Sequence, residues 1–306
     1  HPANSRYGYA MSQQGNVGRY DLLTGHTQLI KPVHPDGKYL RFNWNAAIAQ
    51  DPFDEDAIFY GSQFVHYSTD QGNNWKIISP DLTTNDKTKQ EQHKSGGLTF
   101  DATGAENYTT ILAIEPSPLD KNVVWVGTDD GNVQLTKDRG KTWSNMSKKI
   151  YGVPKGSWVP QIVASSYNPA EAVVIINNYR RNDWKPYVFK TENYGNSWKS
   201  IATEENVWGH ALSYAQDPIE PKLQFLGTEF GLYVSIDESK TWTKWTNGFP
   251  TVSTMDLKIH PREHDLVIGT FGRAAYILDD IRPLREMAKS TDNLLEKRLH
   301  FFEPPV

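Results

Sequence analysis

Three acidic residues stand where this sequence could do acid–base chemistry. Asp129 and Asp130 lie in the turn Gly127-Thr-Asp-Asp-Gly131, and Glu229 lies in Gly227-Thr-Glu-Phe-Gly231. Glycoside hydrolysis normally needs two carboxylates across the scissile bond, about 5 Å or about 6.5–9.5 Å apart. Acids in such turns also serve simply to build the hairpin, so a structural role stands beside the catalytic one. A second group suits binding: Trp44, Asn45, Trp158, Arg180, Arg181, Asp183, Trp184, Trp208 and Arg273. Indole faces stack on sugar rings or apolar side chains, and guanidinium groups pair with carboxylates. Trp44 and Trp158 suit the filling of gaps between packed sheets equally well. His210 reads as a structural or exposed histidine.

Other chemistries lack their residues. The 306-residue chain has no cysteine, which excludes disulfides, thiolate metal sites and cysteine nucleophiles. The histidines are dispersed, so neither a metal nor a cofactor is expected. Lys and Arg total 32 against 36 Asp and Glu, a formal charge of -4. That balance offers no basic excess to grip a phosphate backbone, and nucleic acid is not an expected partner. No run approaches the roughly 18–20 apolar residues of a membrane helix. The sequence opens on His1 without a leader, which reads as a processed product or an excised segment.

The elements that must position these residues announce themselves as a repeat. Four octets share the pattern [ST]-x-[DN]-x-[GS]-x-[NTS]-W. They carry Ser68, Asp70, Gly72 and Trp75; Thr136, Asp138, Gly140 and Trp143; Thr191, Asn193, Gly195 and Trp198; and Ser235, Asp237, Ser239 and Trp242. Their acidic or Asn positions are 68, 55 and 44 residues apart. Each octet follows a Pro-containing turn, a β-branched run, a Gly-containing turn and a second β run, and precedes one more short strand. Four strands recurring in this way predict an all-β fold, a β-propeller of four-stranded antiparallel blades. Residues 7–25 and 254–278 read as partial blades without an octet. Four full and two partial blades predict an arc of a larger propeller, with the remainder on another segment of the same propeller or polypeptide.

The octet's residue types suit a tight corner. Asp or Asn can accept from backbone N–H groups further along, Gly permits positive φ, and Trp packs on the neighbouring sheet. Ser239, in place of Gly, predicts an altered turn. The octets resemble Asp-box (BNR) repeats, found in sialidases, xyloglucanase-type glycoside hydrolases and the sortilin receptor propeller. Together with Arg41-Phe-Asn-Trp-Asn45, Gly227 to Ser235, Gly269-Thr-Phe-Gly-Arg273 and Ile277 to Leu284, they resemble a bacterial sortilin-N-terminal-like family often labelled glycosyl hydrolase. This resemblance spans nearly the whole chain and implies a propeller ending near 281.

The expected organisation is therefore blades over 1–281, with an exposed insertion at 80–108, and a helical or extended tail over 282–306. Leu284, Met287, Ala288, Leu294, Leu295 and Leu299 suggest that the tail packs as a helix beneath the blades. If a blade's strands run A to D outward, Pro turns and octets share one face. The B–C turns and D–A connections share the other, which gathers the acids, arginines and tryptophans named above. Two functions fit this face. One is a secreted, periplasmic or cell-surface module recognising a peptide, protein or glycan, as the sortilin resemblance implies. The other is a xyloglucanase-like hydrolase. Recognition is the reading preferred here.

Overall fold

The computed structural model describes residues 1, 3–90, 107–292 and 294–302. Within them the short apolar runs pair into six antiparallel sheets, the blades of an all-β propeller. The chain divides into two compact units, His1–Ala172 with Thr191–Ser197, and Val173–Lys190 with Trp198–Val306.

In the first unit, β1 (Tyr7–Ser12), β2 (Asn16–Asp21) and β3 (Thr27–Leu29) make a three-stranded meander. Two four-stranded meanders follow: β4 (Ile48–Gln50), β5 (Ile58–Gly61), β6 (Val65–Ser68) and β7 (Lys76–Ile77), then β8 (Ile111–Pro116), β9 (Val124–Thr128), β10 (Val133–Thr136) and β11 (Ser144–Asn145). The fourth blade comprises β12 (Trp158–Ala164), β13 (Ala172–Asn178), β14 (Asp183–Thr191) and β15 (Lys199–Ala202). The second unit also holds the four-stranded meander of β16 (Ala211–Gln216), β17 (Gln224–Thr228), β18 (Gly231–Ser235) and β19 (Thr243–Trp245). It ends with the three-stranded β20 (Thr254–Ile259), β21 (Leu266–Thr270) and β22 (Ala275–Leu278), and the helix α1 (Arg282–Lys289).

Middle strands of the blades are apolar without alternation for a physical reason. Every residue of β9, β10, β13, β17 and β18 is buried. A sheet covered on both faces needs apolar side chains on both, so the half-buried period of two disappears. In the first unit Val17, Ile30 and Phe42 meet Ile58 and Tyr60, while Phe59 and Val65 meet Ile111, Val124 and Val126. In the second, Phe225, Leu232 and Val234 pack with Leu257, Leu266 and Ile268. Helix α1 joins that second core through Leu284 and Ala288. Its Arg285 Nε donates to the buried Asp217 at 2.9 Å. The helical tail is shorter than its apolar pattern suggested. Ser290 takes extended backbone (ψ 138°) and ends α1, one 3-10 turn follows at Leu294–Glu296, and Leu299 is exposed.

The four octets build one repeated corner. In each, the Ser or Thr hydroxyl donates to the Asp or Asn two residues on, at 2.8–3.1 Å. The same hydroxyl accepts from the backbone N–H of Gly72, Gly140, Gly195 or Ser239 at 2.8–2.9 Å. The Asp or Asn Oδ1 accepts from the N–H of Asn74, Thr142, Ser197 or Thr241 at 2.8–2.9 Å. The second oxygen of each Asp takes the side chain of that same residue, Asn74, Thr142 or Thr241. With Asn193 the polarity reverses, its amide donating to Ser197 Oγ at 2.8 Å. These bonds, led by that from the Thr142 hydroxyl, hold Asp138 down to about 2.

Three of the octet tryptophans fasten their corners to the preceding blade. Trp75, Trp143 and Trp242 donate their indole N–H to the carbonyls of Ile30, Ile78 and Ile201 at 2.7, 3.1 and 2.8 Å. The residue after each Asp or Asn, unremarked in the sequence, is a second fastener. Gln71, Arg139, Tyr194 and Glu238 all adopt φ of 57–64°. Their N–H groups donate to the carbonyls of Asp56, Asn122, Ala170 and Lys222, on the Pro turns. Arg139 also reaches Asp51 Oδ2 at 2.7 Å, and Glu238 receives Lys190 at 2.9 Å. Ser239 keeps the corner geometry at φ 62°, and its hydroxyl bonds Gln224. Each octet leads directly into a fourth strand, and the two sheets without octets stop at three.

Of the insertion at 80–108, residues 91–106 lie outside the described residues. In its flanks Pro80, Thr84, Asn85, Lys87 and Thr88 are exposed, while Leu82, Asn107 and Tyr108 are buried.

Gly140 tests the corner. It has φ 91°, and a Cβ would lie 2.5 Å from the Ile78 carbonyl oxygen. Gly140→Ala should destabilise the protein by about 2–4 kcal/mol through strain and displaced backbone. Urea unfolding of the two proteins measures this, and an unchanged midpoint would contradict it.

Candidate functional site

In the second unit the chain leaves β13 at Asn178 through one 3-10 turn, Tyr179–Arg181. Asn182 then takes φ 60°, a conformation Asn tolerates, and β14 begins at Asp183. The connection between β13 and β14 is therefore only four residues, and Asp183 and Trp184 lie on the strand. Asp183 anchors the reversal by accepting from Asn178 Nδ2 at 3.0 Å and Tyr187 Oη at 2.9 Å. Burial raises its pKa, but these hydrogen bonds outweigh burial and hold the carboxyl below its ordinary value. The Trp184 indole donates to Asn182 Oδ1 at 3.1 Å and is 46% exposed.

The β15–β16 connection supplies the facing wall. Val207 N–H donates to the Thr203 carbonyl, which turns the chain and buries Val207 while leaving Trp208 64% exposed. Trp208 stacks on Phe230 with centroids 4.4 Å apart. Gly209 makes this possible: it has φ 84°, and a Cβ would meet the Phe230 ring at 2.7 Å. Next, His210 is buried, stacks on Tyr179 at 4.6 Å and meets Trp184 at a tilt, with centroids 5.6 Å apart. Its Nδ1 lies 3.2 Å from Glu229 Oε2. Burial lowers the imidazole pKa, against the opposing pull of Glu229. The Arg180 guanidinium covers Tyr179 at 4.4 Å.

These loops enclose a cleft of about 550 Å³ lined by Trp184, Glu204, Val207, Trp208, Gly209, Glu229 and Phe230. That volume is ordinary for a small-ligand or side-chain pocket. Its lining holds three large aromatic rings, two carboxylates and no basic side chain. Such a surface stacks on flat or apolar groups and accepts hydrogen bonds. Among the described residues, no group of three or more His, Asp or Glu is placed to hold a metal.

Of the residues singled out in the sequence, Trp184, Trp208 and Glu229 come together here, with Arg180 and Asp183 supporting them. Arg181 is exposed beside Arg180, and Arg273 is exposed in the β21–β22 turn; neither lines the cleft. In the first unit Trp44 is 43% exposed, Asn45 is exposed with its N–H on Asn43 Oδ1, and Trp158 is half-buried at the start of β12. Glu204, Phe230 and Tyr179 were not singled out. All three had a signal, since each belongs to a connection on the expected ligand face.

Asp129 and Asp130 are occupied in holding loops. Asp129 is fully buried and accepts from Thr110 N at 2.9 Å, Thr110 Oγ1 at 2.5 Å and Asn43 Nδ2 at 3.2 Å. Asp130 accepts from Thr84 N and Oγ1, both at 2.7 Å, and from Thr128 Oγ1. Thr84 and Thr110 flank the insertion, so the acids of the β9–β10 turn grip its two ends. Burial, with Asp130 alongside, pushes Asp129 up to about 8.

Comparison with known proteins supports the fold. No family model matches the sequence, and no curated protein matches it. Among solved structures, the GH74 xyloglucanase from Xanthomonas campestris is 17% identical, with a TM-score of 0.50 over 92% of this chain and 51% of that one. The Niastella koreensis GH74 enzyme is 14% identical, with a TM-score of 0.50 over 91% and 51%. The extracellular domain of BT4673 from B. thetaiotaomicron is 12% identical, with a TM-score of 0.56 over 89% and 31%. The chain spans about half the length of these GH74 structures. Likeness at such identities shows the propeller fold alone.

Asp129 carries a pH prediction. A native carboxyl titrating near 8 keeps a proton that the unfolded chain releases near 4. The native state then binds more protons across that window, and stability falls as pH rises through it. Asp129→Asn removes the titrating group at nearly unchanged side-chain size. Urea unfolding between pH 5 and 9 should show a shallower decline in this variant, and an unchanged slope would contradict the assignment.

Proposed function

We propose that this protein is a recognition propeller that binds its ligand in the cleft between Trp184 and Trp208. The observation that carries this reading is the exposure of both indoles in the lining of one concavity that also holds Glu204 and Glu229. Large aromatic residues left in solvent at a concave site contribute most when a partner covers them. The ligand is a peptide, protein or glycan segment, in the manner of the sortilin-like propellers that the octets resemble. A secreted, periplasmic or surface location accords with the extracellular BT4673 domain among its structural neighbours. Among the described residues, no helix is long and apolar enough to cross a membrane. We also propose that another segment of the same propeller is a partner, a reading supported by the three-stranded sheets β1–β3 and β20–β22.

A second reading, glycoside hydrolysis, is favoured by the pairing of Glu204 and Glu229 in one cleft and by the GH74 fold likeness. Asp129 and Asp130 suit that chemistry less well, because their oxygens are already committed to Thr84, Thr110, Thr128 and Asn43.

Binding to peptide and oligosaccharide arrays tests the proposal. Trp184→Ala and Trp208→Ala should each weaken the best ligand about tenfold or more at unchanged stability. Retained binding in both variants would move the site elsewhere. Release of reducing sugar from xyloglucan, lost in Glu229→Ala, would favour hydrolysis instead.

A further inference from the structure

The cleft's electrostatics distinguish among the ligands that the recognition reading allows. Its lining contains Glu204 and Glu229 and no basic side chain. A ligand closing over these carboxylates removes them from water, which is costly unless an opposite charge arrives with it. The side chain of Glu229 is 28% exposed, and its near neighbour is the buried imidazole of His210. Burial works against a charge on that ring, while Glu229 pulls the other way. Glu204 meets Lys185 at 3.4 Å, but both are more than half exposed, and such a pair is weak and readily rearranged. An anion would face both carboxylates, and a neutral sugar would cover them without cancelling their charge.

The aromatic walls point the same way. The Lys244 ammonium already lies 5.5 Å from the Trp208 ring centroid, within the range over which an indole face attracts a cation. Arg180 makes the equivalent contact with Tyr179 at 4.4 Å. Tyr179 and Trp208 thus each hold one of the protein's own cations over the ring. The cleft between them presents the same ring type together with carboxylates.

Building on the recognition reading, we propose that the cleft receives a basic side chain, a lysine or arginine of a partner polypeptide. Its charge meets Glu229 and its alkyl stem lies against Trp184 and Trp208. A bare amine could supply the same charge, but it lacks the flanking backbone that would span the exposed indoles.

Calorimetric titration of the whole chain tests this with four probes: a blocked Gly-Gly-Lys-Gly-Gly peptide, its Nε-acetyl-lysine counterpart, n-butylamine and cellohexaose. The lysine peptide should bind about tenfold or more tightly than the acetylated one, and Glu229→Gln should remove that difference. Equal binding of the two peptides, or binding of cellohexaose in preference to both, would overturn the cation assignment while leaving the cleft as the ligand site. Butylamine binding as tightly as the peptide would overturn a polypeptide source. Silence from all four probes would overturn this inference, and the array experiment would then decide whether the cleft binds anything. Unfolding midpoints show whether Glu229→Gln has simply lost its fold. If it has, Glu229→Asp, which keeps the charge but shortens its reach, should bind more weakly than the unmodified chain while retaining lysine preference.

Discussion

A hydroxyl caught between a carboxylate or amide on one side and a backbone N–H on the other is the constraint on which this structure rests. It occurs at Ser68, Thr136, Thr191 and Ser235, each time with the same partners two and four residues on. A tight reversal leaves several N–H groups without strand partners, and unsatisfied donors are costly once packed against a neighbour. The octet satisfies them locally, so the corner can be pressed onto the adjoining blade. The indoles of Trp75, Trp143 and Trp242 then reach across to carbonyls of the preceding sheet. Stability and blade order follow from the same eight residues.

This division of labour frees the opposite end of each blade. With Pro turns and octets bound to each other, the B–C turns and D–A connections need only link strands. In the second unit they do more than that. The chain places Trp184 on β14, Trp208 in the β15–β16 connection and Glu229 in the β17–β18 turn, and their supports are buried rather than exposed. His210 and Val207 lie beneath the surface, and Gly209 lets Trp208 stack on Phe230. A rigid floor carrying exposed aromatic groups is what a recognition surface requires.

The sequence made some of this plain and hid the rest for identifiable reasons. The corner was legible because its bonds are local: hydroxyl, Asp and Gly lie within five residues, and the pattern repeats. The fastening role of Gln71, Arg139, Tyr194 and Glu238 was not legible. Their common left-handed backbone has no residue-type signal, and their side-chain partners lie far away in sequence. Trp184, Trp208 and Glu229 could be placed on one face from strand direction alone. Tyr179 and Glu204 lay in the same connections, but their part depends on packing against His210 and on cleft shape. Asp129 and Asp130 were visible as acids but not as buried ones. Their bonds to Thr84 and Thr110 join residues 46 and 19 positions apart, which no local pattern encodes.

Amide hydrogen exchange at the corners tests the central claim most directly. The N–H groups of Gly72, Gly140, Gly195 and Ser239, and of Asn74, Thr142, Ser197 and Thr241, should exchange slowly despite lying in surface turns. Asp138→Ala should release Thr142 while the corners at Asp70 and Asp237 stay protected. Fast exchange at all eight amides in the unmodified protein, or an Asp138→Ala variant with Thr142 still protected, would contradict the account.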